Sequence, residues 1–218
     1  MENQQLINEY ISRCEKAIQN ANSLTTKLSD VELSIQGMSS TKNRIFLNEL
    51  LAQDSNNVNY LEIGTWLGST FISALYNNKL KSAIAIDNFS QFDGTMSGFT
   101  TNCARSLLQN FRFINSDCFG LSAEDKATIK DVNVYFYDGD HTHEDQRKAL
   151  TYYIDVLQDV FIFIVDDWNH EPARTGTRTG LSETNLTVHK EWELPANYNG
   201  DRENWWNGLY VAVCEKTR

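Results

Sequence analysis

The sequence predicts an α/β domain: a mostly parallel, seven-stranded sheet with helices on both faces and an antiparallel strand pair at its C-terminal end. Two observations predict the parallel part. Short runs of continuous apolar residues recur along the chain, and segments of helical periodicity separate them, the pattern of strands buried on both faces. A third predicts the ending: the last two apolar runs leave little room for a helix between them.

Taken in order, the stretch to about Asn22 carries Leu6, Ile7, Tyr10, Ile11, Cys14 and Ile18 at helical spacing. A polar stretch leads to "GMSSTKNR", and "NRIFLNELLAQ" forms a second helix. "VNYLEI" is a strand that passes through "GTWLGST" into the helix "TFISALY". "SAIAI" is the next strand, ending at Asp87, followed by the helix "SGFTTNCARSLLQN" and the strand "FRFIN". "LSAEDKATI" opens a helix with Ser122 and Asp125 at capping spacing, and "VNVYFY" is the fourth strand. "THEDQRKALTYYIDVL" repeats that spacing with Thr142 and Asp145, and "VFIFIV" is the fifth strand, ending in Asp166-Asp167. "LTVHKEWELP" and "GLYVAVCEK" form the antiparallel pair, joined by the polar, aromatic loop "ANYNGDRENWWN". Residues 1–36 divide off as an N-terminal helical segment, either a lid or an oligomer contact in a homodimer. Residues 37–218 form the main domain.

A formal charge of -10 disfavours a broad phosphate-binding surface, so nucleic acid is not an expected partner. The four cysteines are widely spread without a CxxC pair, which fits neither a zinc knuckle nor a small disulfide framework. With no signal-like start and no apolar run of membrane-spanning length, the expected setting is the cytoplasm, away from the membrane.

The chemistry collects at strand ends. Glu62 with Gly64, Asp87, Asp117, Asp138 with Asp140, and Asp166-Asp167 follow five successive strands, where open α/β sheets bind ligands. One acid after a strand is often a helix cap; five in series point to a ligand. Gly64 permits a sharp turn, and Gly68 lets a helix start approach a ligand. Trp66 occupies a position where a dinucleotide motif would place glycine, and no Gly-Lys-Ser/Thr follows. Asp87 is placed to accept the hydroxyls of a ribose. The segment "DGDHTHED" leaves three readings open: a metal site, a catalytic base, or a charged helix start.

"YLEIGTWLGSTFISAL", "AIDNFS", "FINSDCFG", "YFYDGDHTHED" and "FIVDDWN", in this order, resemble class I S-adenosylmethionine-dependent methyltransferases. More closely they resemble family 24 and the macrocin O-methyltransferase group, over about residues 37 to 215. The resemblance implies the Rossmann-like class I methyltransferase fold. It also implies that Glu62, Gly64, Thr65 and Gly68 bind the methionine end of S-adenosylmethionine, with Ser69 near its carboxylate and Asp87 on the ribose. Asp117 and Cys118 would face the adenine, Asp138 would border the cofactor, and residues 37–40 would close over it. Asp138, Asp166 and Asp167 would hold a divalent cation, Mg²⁺ or else Mn²⁺ or Ca²⁺, and Asp140 would be the base. Clustered carboxylates are hard oxygen ligands suited to such ions, and an ion of this kind lowers the pKa of a bound hydroxyl.

The sequence departs from that group at His141 and His143. His141 is either a softer ligand, favouring Mn²⁺ or Zn²⁺, or the base; His143 is either a ligand or an exposed first-turn residue. Asp140 has the alternative of stabilising a helix start, and Asp167 of capping the segment after it. Trp168, Trp205 and Trp206 floor a substrate pocket or belong to the core, and Arg174 and Arg178 meet an anionic substrate or solvent.

The expected function is methyl transfer from S-adenosylmethionine to a hydroxyl of a small molecule such as a sugar, a glycoside or a similar natural product, aided by a divalent cation. Amino-group methylation of nucleic acid is disfavoured, because the only prolines, Pro172 and Pro195, build no Asn/Asp-Pro-Pro-aromatic motif. Two rivals remain: a non-catalytic cofactor-binding module, and a metal-dependent hydrolase using the Asp/His cluster.

Overall fold

A computed structural model describes residues 2–217. Its strands are β1 (Asn59–Ile63), β2 (Ser82–Asp87), β3 (Arg112–Asn115), β4 (Val132–Tyr137), β5 (Leu157–Val165), β6 (Leu186–Leu194) and β7 (Leu209–Lys216). They form one sheet in the order β3-β2-β1-β4-β5-β7-β6. The first five are parallel, while β7 runs antiparallel to both β5 and β6. The expected seven-stranded class is therefore observed.

The helices are α1 (Glu2–Asn22), α2 (Asp30–Leu33), α3 (Thr41–Ala52), α4 (Ser69–Leu75), α5 (Met96–Arg105), α6 (Ala123–Thr128), α7 (His143–Thr151) and α8 (Glu171–Glu183). Strand alternation sorts the core into two layers. Tyr60, Ala85, Phe136, Ile162 and Val211 face one side with the buried residues of α1, α3, α4 and α5. Leu61, Ile86, Tyr135, Phe163 and Tyr210 face the other with those of α7 and α8. The apolar stripe of α1 (Ile7, Tyr10, Cys14, Ala17) is buried in the first layer against α3.

Both sequence-predicted caps form: Ser122 and Thr142 accept from the backbone N–H groups of Asp125 and Asp145. Two boundaries differ from expectation. The helix after β4 ends at Thr151, because Tyr153 turns into the core and donates to the Cys118 carbonyl; β5 then begins at Leu157. The helix after β2 stops at Arg105, three residues before the buried-side Leu108. All four cysteines are free thiols. No helix of the described residues is long and apolar enough to cross a membrane.

The register sets the site. Ile63 pairs with Tyr137 and Tyr137 with Val165, so Gly64, Asp138 and Asp166 stand side by side just past three strand ends. Backbone bonds continue the ladder there: Asp138 donates to Ile63, and Asp166 to Tyr137. The order reverses between β1 and β4, which opens the crevice typical of ligand sites in such sheets.

Candidate functional site

A cavity of about 410 Å³ lies over these strand ends, a size ordinary for a small-molecule site. Of the residues expected to bind the cofactor, Gly64, Thr65, Ser69, Asp87, Asp117, Cys118 and Asp138 line it. So do Asp140, His141, Asp166 and Asp167.

Two expected residues stand elsewhere. Glu62 shares a strand face with Tyr60 and points under α4, fully buried, accepting from the Tyr60 hydroxyl at 2.5 Å and from Thr70 Oγ1 at 2.7 Å. Burial raises its pKa to about 8. Gly68 is the left-handed N-cap of α4 (φ 87°), and a Cβ there would meet Ile72 and the Phe99 ring. A glycine there lets α4 pack against Phe99.

At the β1–β2–β3 end the carboxylates are committed to the backbone. Asp87 accepts from the Trp66 amide at 2.7 Å and the Phe89 amide at 2.6 Å, and Asp117 from Phe119 at 2.9 Å. Trp66 adopts φ 44°, the left-handed conformation that glycine would take at this turn, and its indole donates to the Phe92 carbonyl. The strained turn is thereby held from both sides. Thr65 is buried, lines the cavity, and its hydroxyl has no partner among the described residues, so a polar ligand group is what would satisfy it.

The β4–β5 end is built differently. Ligand atoms of Asp138, His141 and Asp167 all lie within 4.8 Å of one another. His141 Nε2 is 2.5 Å from Asp167 Oδ2, and Asn207 Nδ2 donates to Asp167 Oδ1 at 2.5 Å. Asp167 holds φ 58°, which aims its side chain inward; α8 is instead entered through His170, so Asp167 does not use its side chain as a cap. Asp166 lies behind, accepting from Asn43 Nδ2 at 3.4 Å, and is outside the converging set. Burial, then the charges of their neighbouring carboxylates, push the pKa of Asp138 and Asp166 well up. His141 is raised by its bond to Asp167, against the opposing effect of burial. Two carboxylates and an imidazole facing one another under a net negative load are a donor set that suits a dication.

Asp140 sits exposed at the rim, accepting from the Thr142 amide and from Gln91 Nε2, both at 3.1 Å. His143 begins α7 and turns away toward Thr179. Of the three tryptophans near the C-terminal half of the site, Trp206 lines the cavity, as Trp66 does from the first turn, whereas Trp168 stacks on Tyr210 at 4.2 Å and Trp205 packs edge-on to Phe46. Arg174 donates to the Trp168 carbonyl, and Arg178 is paired with Glu191 and Glu193. Asn43 and Asn207, which orient the two aspartates of β5, had no signal in the sequence, since neither belongs to a strand-end motif.

The geometry agrees with the comparisons. Residues 61–168 match the model of methyltransferase family 24, described as "Methyltransferase domain". No curated protein matches the chain significantly. Among solved structures, the chain is similar to an O-methyltransferase from Bacillus cereus in complex with SAH, at 14% identity and TM-score 0.54, covering 94% of this chain and 91% of that one. It is also similar to TrmN from Thermus thermophilus (13%, TM-score 0.58, 85% and 52%). A third is the precorrin 8W decarboxylase from Methanobacterium thermoautotrophicum (16%, TM-score 0.57, 87% and 100%). The chain spans about half the length of TrmN and of two further similar methyltransferase structures, 52%, 50% and 47%. At such identities the likeness carries the fold, and the family match carries the rest: the chain bears a class I methyltransferase domain of family 24.

Proposed function

We propose that this protein transfers a methyl group from S-adenosylmethionine to a hydroxyl of a small acceptor, with a divalent cation held by Asp138, His141 and Asp167. The observation that supports it is the junction of two unlike sites in one cavity: a glycine turn with Asp87 and Asp117 at one end, and the carboxylate–imidazole cluster at the other. S-adenosylmethionine would supply a methyl on a sulfonium, a good leaving group that departs as S-adenosylhomocysteine. The cation would lower the pKa of the bound hydroxyl.

The chain's own residues do the remainder. Asp87 and the Gly64–Ser69 turn fix the donor, and Asp140, on the rim, takes the acceptor proton. Asn207 keeps Asp167 turned toward the converging donors, while Asn43 holds Asp166 behind them. The acidic lining repels phosphate-bearing acceptors, which favours a small neutral or cationic molecule over nucleic acid.

The 2.5 Å contact of His141 with Asp167 supports a second reading, in which no ion binds and His141, oriented by Asp167, is the base. A methyl-transfer assay over a panel of small polyols, phenols and amines, run with Mn²⁺ or Mg²⁺ and again with a chelator, tests both. Turnover of hydroxyl acceptors that stops with chelator supports the first reading, and turnover that survives chelator supports the second. Methylation of amines alone rejects the hydroxyl assignment.

A further inference from the structure

The segment between α2 and α3, residues 34–40, forms one wall of the cavity through Met38 and Ser39. What holds it is Arg44, in the second turn of α3 and 5% exposed. Its Nε donates to Ser39 Oγ at 3.0 Å. Its Nη1 is shared among the carbonyls of Glu32, Leu33 and Ile35 at 3.4, 3.1 and 3.0 Å. Ser39 Oγ in turn lies 3.3 Å from Ser69 Oγ, the first residue of α4. The remaining nitrogen, Nη2, faces Gly37: a Cβ at Gly37 would lie 2.9 Å from it and 1.9 Å from Ser69 Oγ. Guanidinium and hydroxyls therefore flank one gap beneath a glycine that no larger residue could replace.

Charge makes this corner distinct. No carboxylate of the described residues forms an ion pair with Arg44, and burial alone lowers its pKa to about 10. A buried cation held only by neutral acceptors is costly, and its field is left for whatever occupies the adjoining space. The charged side chains of the other walls are mainly acids, and the cavity's lysine, Lys148, lies beside Phe119 at the β3 end, within reach of Asp145.

Resting on the methyltransferase reading, we infer that Arg44 is the positioning residue for the amino-acid end of the donor. It locks residues 37–40 against Ser69 and sets a positive field behind the two serines, where the donor's carboxylate docks. Arg44 acts through Ser39 and the strap, not by reaching the reacting atoms.

The test compares two ligands on the full chain by calorimetry. S-adenosylhomocysteine has the carboxylate, whereas 5′-methylthioadenosine keeps adenosine and thioether without the amino-acid end. Arg44→Met is expected to weaken S-adenosylhomocysteine at least tenfold and 5′-methylthioadenosine less than threefold, with Arg44→Lys recovering part of the loss. Gly37→Ala keeps the guanidinium but presses its Cβ on Ser69 Oγ and Arg44 Nη2, forcing the strap and the two serines apart, and is expected to show the same selective loss. Equal losses for both ligands, or no loss for either, would overturn the assignment. If the unaltered chain binds neither ligand, the methyltransferase reading falls, and this inference falls with it.

Discussion

The two ends of the cavity solve the same problem, acids gathered at strand ends, in opposite ways. At the β1–β2–β3 end each carboxylate is met by backbone N–H groups, and the turn is complete as it stands. At the β4–β5 end the acids meet one another and an imidazole, and Asp138 receives no hydrogen bond from the described residues. Backbone amides are fixed donors that need no partner from solution. Facing carboxylates demand a proton or a cation. The first end is a preformed receptor, and the second is a site finished only by what binds to it.

That contrast can be broken most forcefully at Asp167. Asp167→Ala removes a converging ligand and the orienter of His141. It is expected to lower kcat by about 10³-fold, in line with the loss of a metal ligand or general-base assembly. Affinity for S-adenosylhomocysteine should stay within about threefold of the unaltered chain if the two ends are separate. A matched loss of donor affinity would show that they are one site. Asp140→Asn keeps an acceptor for the Thr142 amide while removing the proton acceptor, and should cost about 10²-fold in kcat with KM little changed. If it costs less than His141→Asn does, the histidine is the base.

Glu62 sharpens the comparison through stability. Its pKa rises on folding from an ordinary carboxylate value to about 8, so its contribution is fully present below pH 4.5 and is lost as pH climbs toward 8. Glu62→Gln removes the charge while keeping an acceptor oxygen for one of the two hydroxyls and turning an amide donor toward the other, which can accept it. The variant should gain on the order of 2–4 kcal/mol relative to the unaltered chain across that window, read by denaturant melts at several pH values. Donor affinity should not move, since Glu62 lies behind the cavity wall. Smaller again is Asp87→Asn, which keeps one acceptor oxygen for the loop amides and should weaken S-adenosylhomocysteine about tenfold in calorimetry.

Much of this was legible in the chain. Continuous apolar runs gave the strands, and Ser122 and Thr142 marked helix starts because capping is local chemistry. The acids at strand ends were legible for the same reason. Less legible was which way a residue faces. Glu62 alternates with Ile63, and that parity turns it into the helix layer although it precedes the glycine turn. His141 joins the converging donors while Asp166 stays behind, a distinction made by the left-handed bend at Asp167 and by Asn43. Asn207 and Asn43 reach the site from segments far away in sequence, and no local spacing announces a long-range hydrogen bond. Trp168 and Trp205 could not be sorted from Trp206 without knowing which face of the sheet each one packs on.

The most direct test of the preformed-receptor claim is a calorimetric titration with S-adenosylhomocysteine, in chelator and again with Mn²⁺ or Mg²⁺. Binding in chelator, with an affinity the ion changes by less than about tenfold, is the predicted result. Binding only when the ion is present would contradict the separation of the two ends, and binding in neither condition would contradict the methyltransferase reading itself.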